Sequence, residues 1–340
     1  MSFCLSRTRL GVLVGLFFVP LAACSATDLS ATTAPTDPTT TTPTSTAPAA
    51  SSGALANVRL YVNPQSPAAA QASAWQSSRP TDAALMRYIA AQPVATWFGE
   101  WNTSITSDVR AVVQRAAASG TVPVLVAYNI PNRDCGSYSA GGASSASAYA
   151  SWIQGFANGI NGSTAVVVLE PDAVASDCAT TARYGMLANA VKVLKASGAK
   201  VYLDAGHPDW VSTSEMAGRL QQAGIAQADG FSLNVSNFYS TSSNISYGNQ
   251  LSGQLGGKHY VIDTSRNGLG SSSAQWCNPA GMALGNAPTT NTGNAKVDAF
   301  LWIKVPGESD GSCNGGPAAG QWWAAYALGL AQRATINVNA

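Results

Sequence analysis

Followed for its apolar and polar positions, the chain from Ala56 onward breaks into short apolar runs some thirty to forty residues apart. The runs are Val58–Val62, Ala95–Phe98, Val122–Tyr128, Ala165–Leu169, Lys200–Leu203, Gly230–Leu233, His259–Ile262 and Ala299–Val305. The most uniform of them, Ala165-Val166-Val167-Val168-Leu169, has no polar interruption, the pattern of a strand buried on both faces. Helical periodicity fills the intervals. Ser107–Ala118 begins on a candidate cap and stops before Gly120, while Thr180–Ala196 carries Leu187, Val191 and Leu194 on one stripe and is followed by Gly198. Strand and helix alternating over one stretch of about 280 residues predict an α/β fold, with a parallel sheet closed or nearly closed into a barrel.

The first residues do not share this pattern. Arg7 and Arg9 precede an apolar run from Leu10 to Ala23, about fourteen residues long and short for a spanning helix. It ends in Leu21-Ala22-Ala23-Cys24, which resembles a bacterial lipoprotein processing box. Residues 1–23 are therefore expected to be a signal peptide and Cys24 a lipid-modified first residue; an ordinary signal peptide cut nearby is the alternative. Residues 24–55 are almost entirely Thr, Pro, Ala and Ser, a composition that cannot bury apolar surface and predicts an extended, O-glycosylation-prone tether. Residues 56–340 form the globular domain. The expected product is an exported monomer, held at the cell surface by its lipid or released, touching the membrane through Cys24 alone.

Composition narrows the chemistry. The chain of 340 residues has a net charge of +1, 10% charged residues and no basic stripe, which argues against nucleic acid as a partner. Two histidines, His207 and His259, cannot build a multi-histidine metal site, and no metal or cofactor is expected. Four cysteines, Cys135, Cys178, Cys277 and Cys313, lie in the globular part without a CxxC spacing. In an exported chain they predict disulfides with three possible connectivities. The sequential pairing, Cys135–Cys178 and Cys277–Cys313, is the expected one, each loop worth roughly 4 kcal/mol in the chain-entropy model.

Polar residues gather where the apolar runs end. The third run leads into Tyr128-Asn129-Ile130-Pro131-Asn132-Arg133-Asp134-Cys135, the fourth into Glu170-Pro171-Asp172, the fifth into Asp204-Ala205-Gly206-His207 and then Trp210. The sixth is followed by Asn234-Val235-Ser236-Asn237, the seventh by Asp263-Thr264-Ser265-Arg266-Asn267-Gly268, and the last by Lys304-Val305-Pro306-Gly307-Glu308-Ser309-Asp310-Gly311. So many carboxylates on one rim repel and desolvate each other, a poor device for stability and a good one for an active site. Acids held at different pKa values are the apparatus of glycoside hydrolysis. Trp97, Trp101, Trp210, Trp276 and Trp302 lie near the same ends, where flat rings suit sugar stacking, although core packing claims about half of such residues. Trp322 and Trp323 belong to a helical C-terminal stretch and are assigned to packing.

Taken in order, the Tyr128–Cys135, Leu169–Asp172, Asp204–His207, Ile262–Gly268 and Trp302–Gly311 segments, with both cysteine pairs, resemble glycoside hydrolase family 6, the cellulases. The resemblance implies an incomplete parallel barrel of about seven strands acting on β-1,4-glucan with inversion. It implies Asp172 as general acid, Asp134 and Asp310 as candidate bases, Asp204 as an acid that tunes the site, and Tyr128 as the residue favouring a distorted sugar ring. Trp97, His207, Trp210, Asn237, Lys304 and Glu308 fall on substrate-contact positions, and Trp276 joins them as a stacking candidate. Arg133 is expected to keep Asp134 ionised. Relatives with serine before the paired glycines differ from this chain, which has Ala140 there, so Ser139 is the stand-in for holding the attacking water. In that family chain-end-acting members roof the cleft with long loops, so the resemblance implies that the short spans Cys135 to Cys178 and Cys277 to Cys313 leave the cleft open for internal cleavage. The alternatives are a cellobiohydrolase of the same family, a weakly active glucan-binding protein, and a serine esterase suggested by the near-motif Ser137-Tyr138-Ser139-Ala140-Gly141. The sequon Asn234-Val235-Ser236 is not expected to be glycosylated, since it sits in the cleft of a bacterial-type lipoprotein.

Overall fold

The protein is described here from a computed structural model, which covers residues 53–271 and 275–335. The expected signal peptide, the lipid site Cys24 and nearly all of the tether lie outside the described residues.

Seven strands make one sheet: β1 Thr96–Phe98, β2 Val124–Ala127, β3 Val166–Leu169, β4 Lys200–Asp204, β5 Gly230–Leu233, β6 His259–Asp263 and β7 Val297–Leu301. They pair in chain order and every pair is parallel. Each crossover carries at least one helix or a long loop, and the sheet curls as such consecutive units require. β1 and β7 do not pair as strands. A single parallel bridge, Val94 to Trp302, with Ala95 N donating to the Trp302 carbonyl at 2.9 Å, joins the sheet's two edges at one point. The barrel is incomplete, with a seam between its first and last strands.

One expected strand is absent. Val58–Val62 contributes only a bridge between Leu60 and Val122, held by Tyr61 N to Val122 O at 2.9 Å and Val122 N to Arg59 O at 2.8 Å. The chain turns away at Asn63-Pro64, where proline has no donor to extend a ladder. The helices are α1 Pro67–Trp75, α2 Pro80–Ala90, α3 Ile105–Ala118, α4 Ala146–Ile160, α5 Thr181–Ala196, α6 Thr213–Gln222, α7 Thr241–Gln254 and α8 Ala324–Arg333. α3 starts ahead of Ser107, which is therefore interior and not a cap. α5 starts where the pattern placed it, its first turn capped by the Thr180 hydroxyl accepting from Arg183 N at 3.2 Å.

Alternation along the strands decides which side chains fill the barrel. Val124 and Val126 of β2, Val166 and Val168 of β3, Tyr202, Val261, Ala299 and Leu301 point inward. Their neighbours Leu125, Ala127, Val167, Leu169, Val201, Leu203 and Ile262 face the helices. β3 is thus buried on both sides, as its unbroken apolar run requires. Leu55 is fully buried within the interior cluster. It follows Gly53, whose backbone lies so close to Asp298 and His259 that no side chain fits there. Asp298 accepts from the Tyr202 hydroxyl at 2.6 Å and pairs with His259 Nδ1 at 2.7 Å. His259 opens β6 and Asp298 lies near the start of β7, so this network seals the amino-terminal pole.

Candidate active site

The acids collect at the opposite pole, where the strands end. Asp204 closes β4 with its carboxylate fully buried. It accepts from Asp172 N at 2.9 Å, Gly206 N at 3.1 Å and the Ser232 hydroxyl at 3.1 Å. Burial pushes its pKa up to about 7, and these three hydrogen bonds restrain the rise. Asp172 is half-buried beside it, and its pKa stands well above the usual carboxylate range. Burial is the first cause, followed by the negative charges of Asp204, Asp134 and Asp310, so the other three aspartates all bear on Asp172.

Glu170 and Asp263 organise the loops around them. Both oxygens of the buried Glu170 accept from Asn129 N, at 2.9 and 3.0 Å, and one also accepts from Ile130 N at 3.0 Å. That carboxylate, lifted by burial to about 7, fastens the loop bearing Asp134 to the end of β3. Asp263 accepts from Ser236 N, Ser265 N, Ile303 N and Lys304 N, which ties together the ends of β5, β6 and β7. Several of these residues are left-handed without being glycine: Asp134 has φ 55°, Glu170 51°, Asp172 69° and Ser236 59°. Such backbone is costly for these side chains and persists where neighbours impose it.

Asp134 opens a 3-10 turn, Asp134–Gly136, and accepts from Ser139 N at 2.7 Å. Its pKa is raised because burial outweighs both that hydrogen bond and the Arg133 charge. The Arg133 charge acts in the expected direction, drawing the pKa of Asp134 down, but burial outweighs it. The Arg133 guanidinium makes a two-pronged pair with Glu100, and also donates to the carbonyls of Tyr128 at 2.8 Å and Ser139 at 2.8 Å. Asp310 behaves oppositely. Arg266 Nη1 reaches its Oδ2 at 2.8 Å, Lys304 Nζ lies 3.3 Å from Oδ1, and Asn278 N donates at 3.0 Å. These cations hold its carboxyl below the usual range despite burial.

Both disulfides are present in the sequential pairing, with Cα atoms 5.8 Å apart for Cys135–Cys178 and 6.2 Å for Cys277–Cys313. Cys135 follows Asp134 directly and Cys313 lies three residues beyond Asp310. Each bridge thus fixes a loop that carries an acid.

A cavity of about 680 Å³ opens beside the acids. Tyr128, Arg133, Ser139, Trp97, Lys304 and Glu308 line it, and none of the four aspartates does. Trp97 stands edge-on to Tyr128, with centroids 5.2 Å apart, and donates its indole N–H to the Ile303 carbonyl at 2.8 Å. Arg133 lies over the Tyr128 ring at 4.5 Å. His207, Trp210 and Asn237 stand apart from this cavity. His207 is stacked on Tyr239 at 4.7 Å and inclined to Trp210 at 5.1 Å, with its Nδ1–H donating to the Pro208 carbonyl at 2.6 Å. Burial lowers its pKa against the raising effect of the Pro208 hydrogen bond and the Asp209 charge. Asn237 is half-buried, its side-chain oxygen engaged by Phe238 N. Trp276, 40% exposed, meets Tyr138 edge-to-face at 5.8 Å. Trp302 belongs to the core. Trp322 and Trp323 pack against α1 and α8 but precede α8, which begins at Ala324. Among the described residues neither Ser137 nor Ser139 bonds to a histidine, which leaves the esterase reading without a triad.

Glu170, Asp263, Arg266, Asn278 and Glu100 carry much of this geometry and have no role in the sequence reading. The first three lie inside the motif segments, a signal available for them; Asn278 directly follows Cys277, and Glu100 follows β1 by two residues.

An open parallel barrel whose acids share one field at the carboxyl pole defines a polysaccharide-cleaving class of α/β barrel, and the chain belongs to Glycosyl hydrolases family 6, which matches residues 55–334. Over 266 residues it is 50% identical to endoglucanase A of Cellulomonas fimi, covering 77% of this chain and 59% of that protein. Endoglucanase 1 of Streptomyces halstedii is 45% identical over 280 residues, covering 77% and 85% of the two chains. The chain thus spans about three fifths of the length of the Cellulomonas relative. An endoglucanase from Mycobacterium tuberculosis, solved with methyl-cellobiosyl-4-deoxy-4-thio-β-D-cellobioside, superposes with a TM-score of 0.78 at 44% identity, covering 82% of this chain and 98% of that one.

Proposed function

We propose that the protein hydrolyses internal β-1,4-glucosidic bonds of cellulose or soluble β-glucan with inversion at the anomeric carbon. The observation that carries this reading is the contrast among the acids: burial and neighbouring carboxylates raise the pKa of Asp172 well above the ordinary range, while Arg266 at 2.8 Å and Lys304 at 3.3 Å draw that of Asp310 below it. Asp172 donates its proton to the leaving glycosidic oxygen. A water on the opposite face of the sugar attacks, and Asp134 takes up its proton. Asp134 suits this better than Asp310, because its raised pKa makes it the stronger base and Asp310 is occupied by two cations. The endoglucanase names of the relatives support the internal mode of cleavage.

Asp172→Ala abolishes turnover of unactivated glucan and leaves ligand binding largely intact; a wild type as inert as this variant would favour a binding protein. NMR of the first product from a cello-oligosaccharide shows inversion, and a retained anomer rules the scheme out. Asp134→Ala regains activity with azide, forming the inverted glycosyl azide, whereas rescue of Asp310→Ala alone would transfer the base role. Rapid viscosity loss on carboxymethyl-cellulose relative to reducing ends marks internal cutting; slow loss with cellobiose as the main product would mark a cellobiohydrolase. Export as a monomeric lipoprotein through Cys24 belongs to the same proposal. It is supported by the processing box and the disulfides, and mass spectrometry of the mature N-terminus tests it.

A further inference from the structure

We propose that the outer arm of the cavity is an additional sugar subsite, which holds a third glucosyl unit on the Trp97 side of the bond that is cut. This rests on the reading of the protein as a β-1,4-glucanase. Tyr128, next to the loop of Asp134, and Trp97, edge-on to it, mark two consecutive positions leading away from the acids. The cavity does not end at Trp97. It continues over the seam between β1 and β7, where the backbones are bridged at Val94 and Trp302, and reaches Asn63, Ser66 and Gln321.

The lining of this arm matches the two-sided chemistry of a pyranose ring. Its floor is apolar, made by Ala68, Val94 and Ala95, and suits the C–H face of the sugar. Asn63, Ser66 and Gln321 line the same arm and supply polar groups for the hydroxyls of a β-1,4-linked unit. The Asn63 side-chain oxygen accepts from Gln65 N at 3.0 Å, which leaves its amide N–H2 as the group to donate. Ser66 accepts from Ala69 N at 3.3 Å and keeps its hydroxyl proton to give. Gln321 is set by its backbone: its carbonyl accepts from Ser309 N at 2.9 Å, and Glu308 pairs antiparallel with Trp322. The same segment thus carries Glu308, beside Trp97, and builds the outer wall. An enzyme that removes cellobiose from a chain end needs a barrier at this place. Here the arm stays open, and the glucan runs on through it.

The test compares kcat/KM for cellotetraose, cellopentaose and cellohexaose in the full protein, and locates the cut by labelling the reducing end with 18O. In the wild type, kcat/KM rises about tenfold as the added unit fills the arm, and part of the cellohexaose is cut with three units on the Trp97 side. Ala319→Trp, which fills the arm, collapses the cellohexaose-to-cellotetraose ratio and removes that cut; Asn63→Ala, a small truncation, lowers the ratio several-fold. If both folded variants keep the wild-type ratio and cutting pattern, the subsite is refuted. If the wild type cleaves none of the oligosaccharides, the glucanase reading fails and the subsite falls with it.

Discussion

Asp204 makes no contact with the solvent and yet acts directly on Asp172, the proposed proton donor. Its carboxylate holds the amide of Asp172 at 2.9 Å, and its negative charge is the largest electrostatic contribution to the raised pKa of that residue. Asparagine at 204 keeps an oxygen for the amide and removes the charge. Asp172 then surrenders its proton at lower pH, so the alkaline limb of the kcat/KM profile moves toward acid; an unmoved limb would mean that Asp204 is only a structural support. Arg266 is the complementary case, fully buried against Asp310. Arg266→Met strips that carboxylate of its closest cation and is expected to cost about 3–5 kcal/mol, read by urea unfolding. These two residues also separate what sequence shows from what it hides. Asp172, Asp134 and Asp310 were legible because each follows an apolar run, a position that speaks by itself. The work of Arg266 and Glu170 was not, since it depends on partners 44 and about 40 residues away that only the folded chain brings near.

At the scale of elements, the loops after β2 and β7 deserve comparison with the strands that carry them. Each has its acid within a few residues of a cystine, and the acid of the first sits in left-handed backbone. Replacing Cys135 and Cys178 by serine should lower stability by about 2–4 kcal/mol and reduce kcat more than it raises KM, because the turn that presents Asp134 loses its anchor. Equal changes in both parameters would point to a general loosening. Strands β2 to β6 were readable from period and apolar content, since burial on both faces leaves little room for another reading. Val58–Val62 was not distinguishable from them, because apolar alternation reports burial and not a ladder, and the adjacent Pro64 was the neglected signal. The early start of α3 is a similar miss: Ser104 flanks the helix without a side-chain cap bond, so no local chemistry marks the true boundary.

For the molecule as a whole, the acids leave a signature in the dependence of stability on pH. Asp134, Glu170, Asp172, Asp204, Asp263 and Glu308 all have pKa values above their ordinary ones, while Asp310 and Glu100 have lower ones. A carboxyl whose folded pKa is raised stabilises fully below its unfolded value, about 4, and loses that contribution as pH climbs through the folded value. For Glu170 and Asp204 that climb ends at about 7. The midpoint of thermal unfolding is therefore expected to be higher at pH 5 than at pH 8, and Glu170→Gln should flatten the slope; a midpoint that rises toward pH 8 would contradict this account.

The seat of Gly53 against Asp298, with Leu55 sunk into the barrel behind it, fixes where the polypeptide enters the domain. That entrance is at the pole farthest from the acids. A bulky residue in place of Gly53 would press on Asp298 and His259 and unseat this stopper, at the end of the barrel away from the acids.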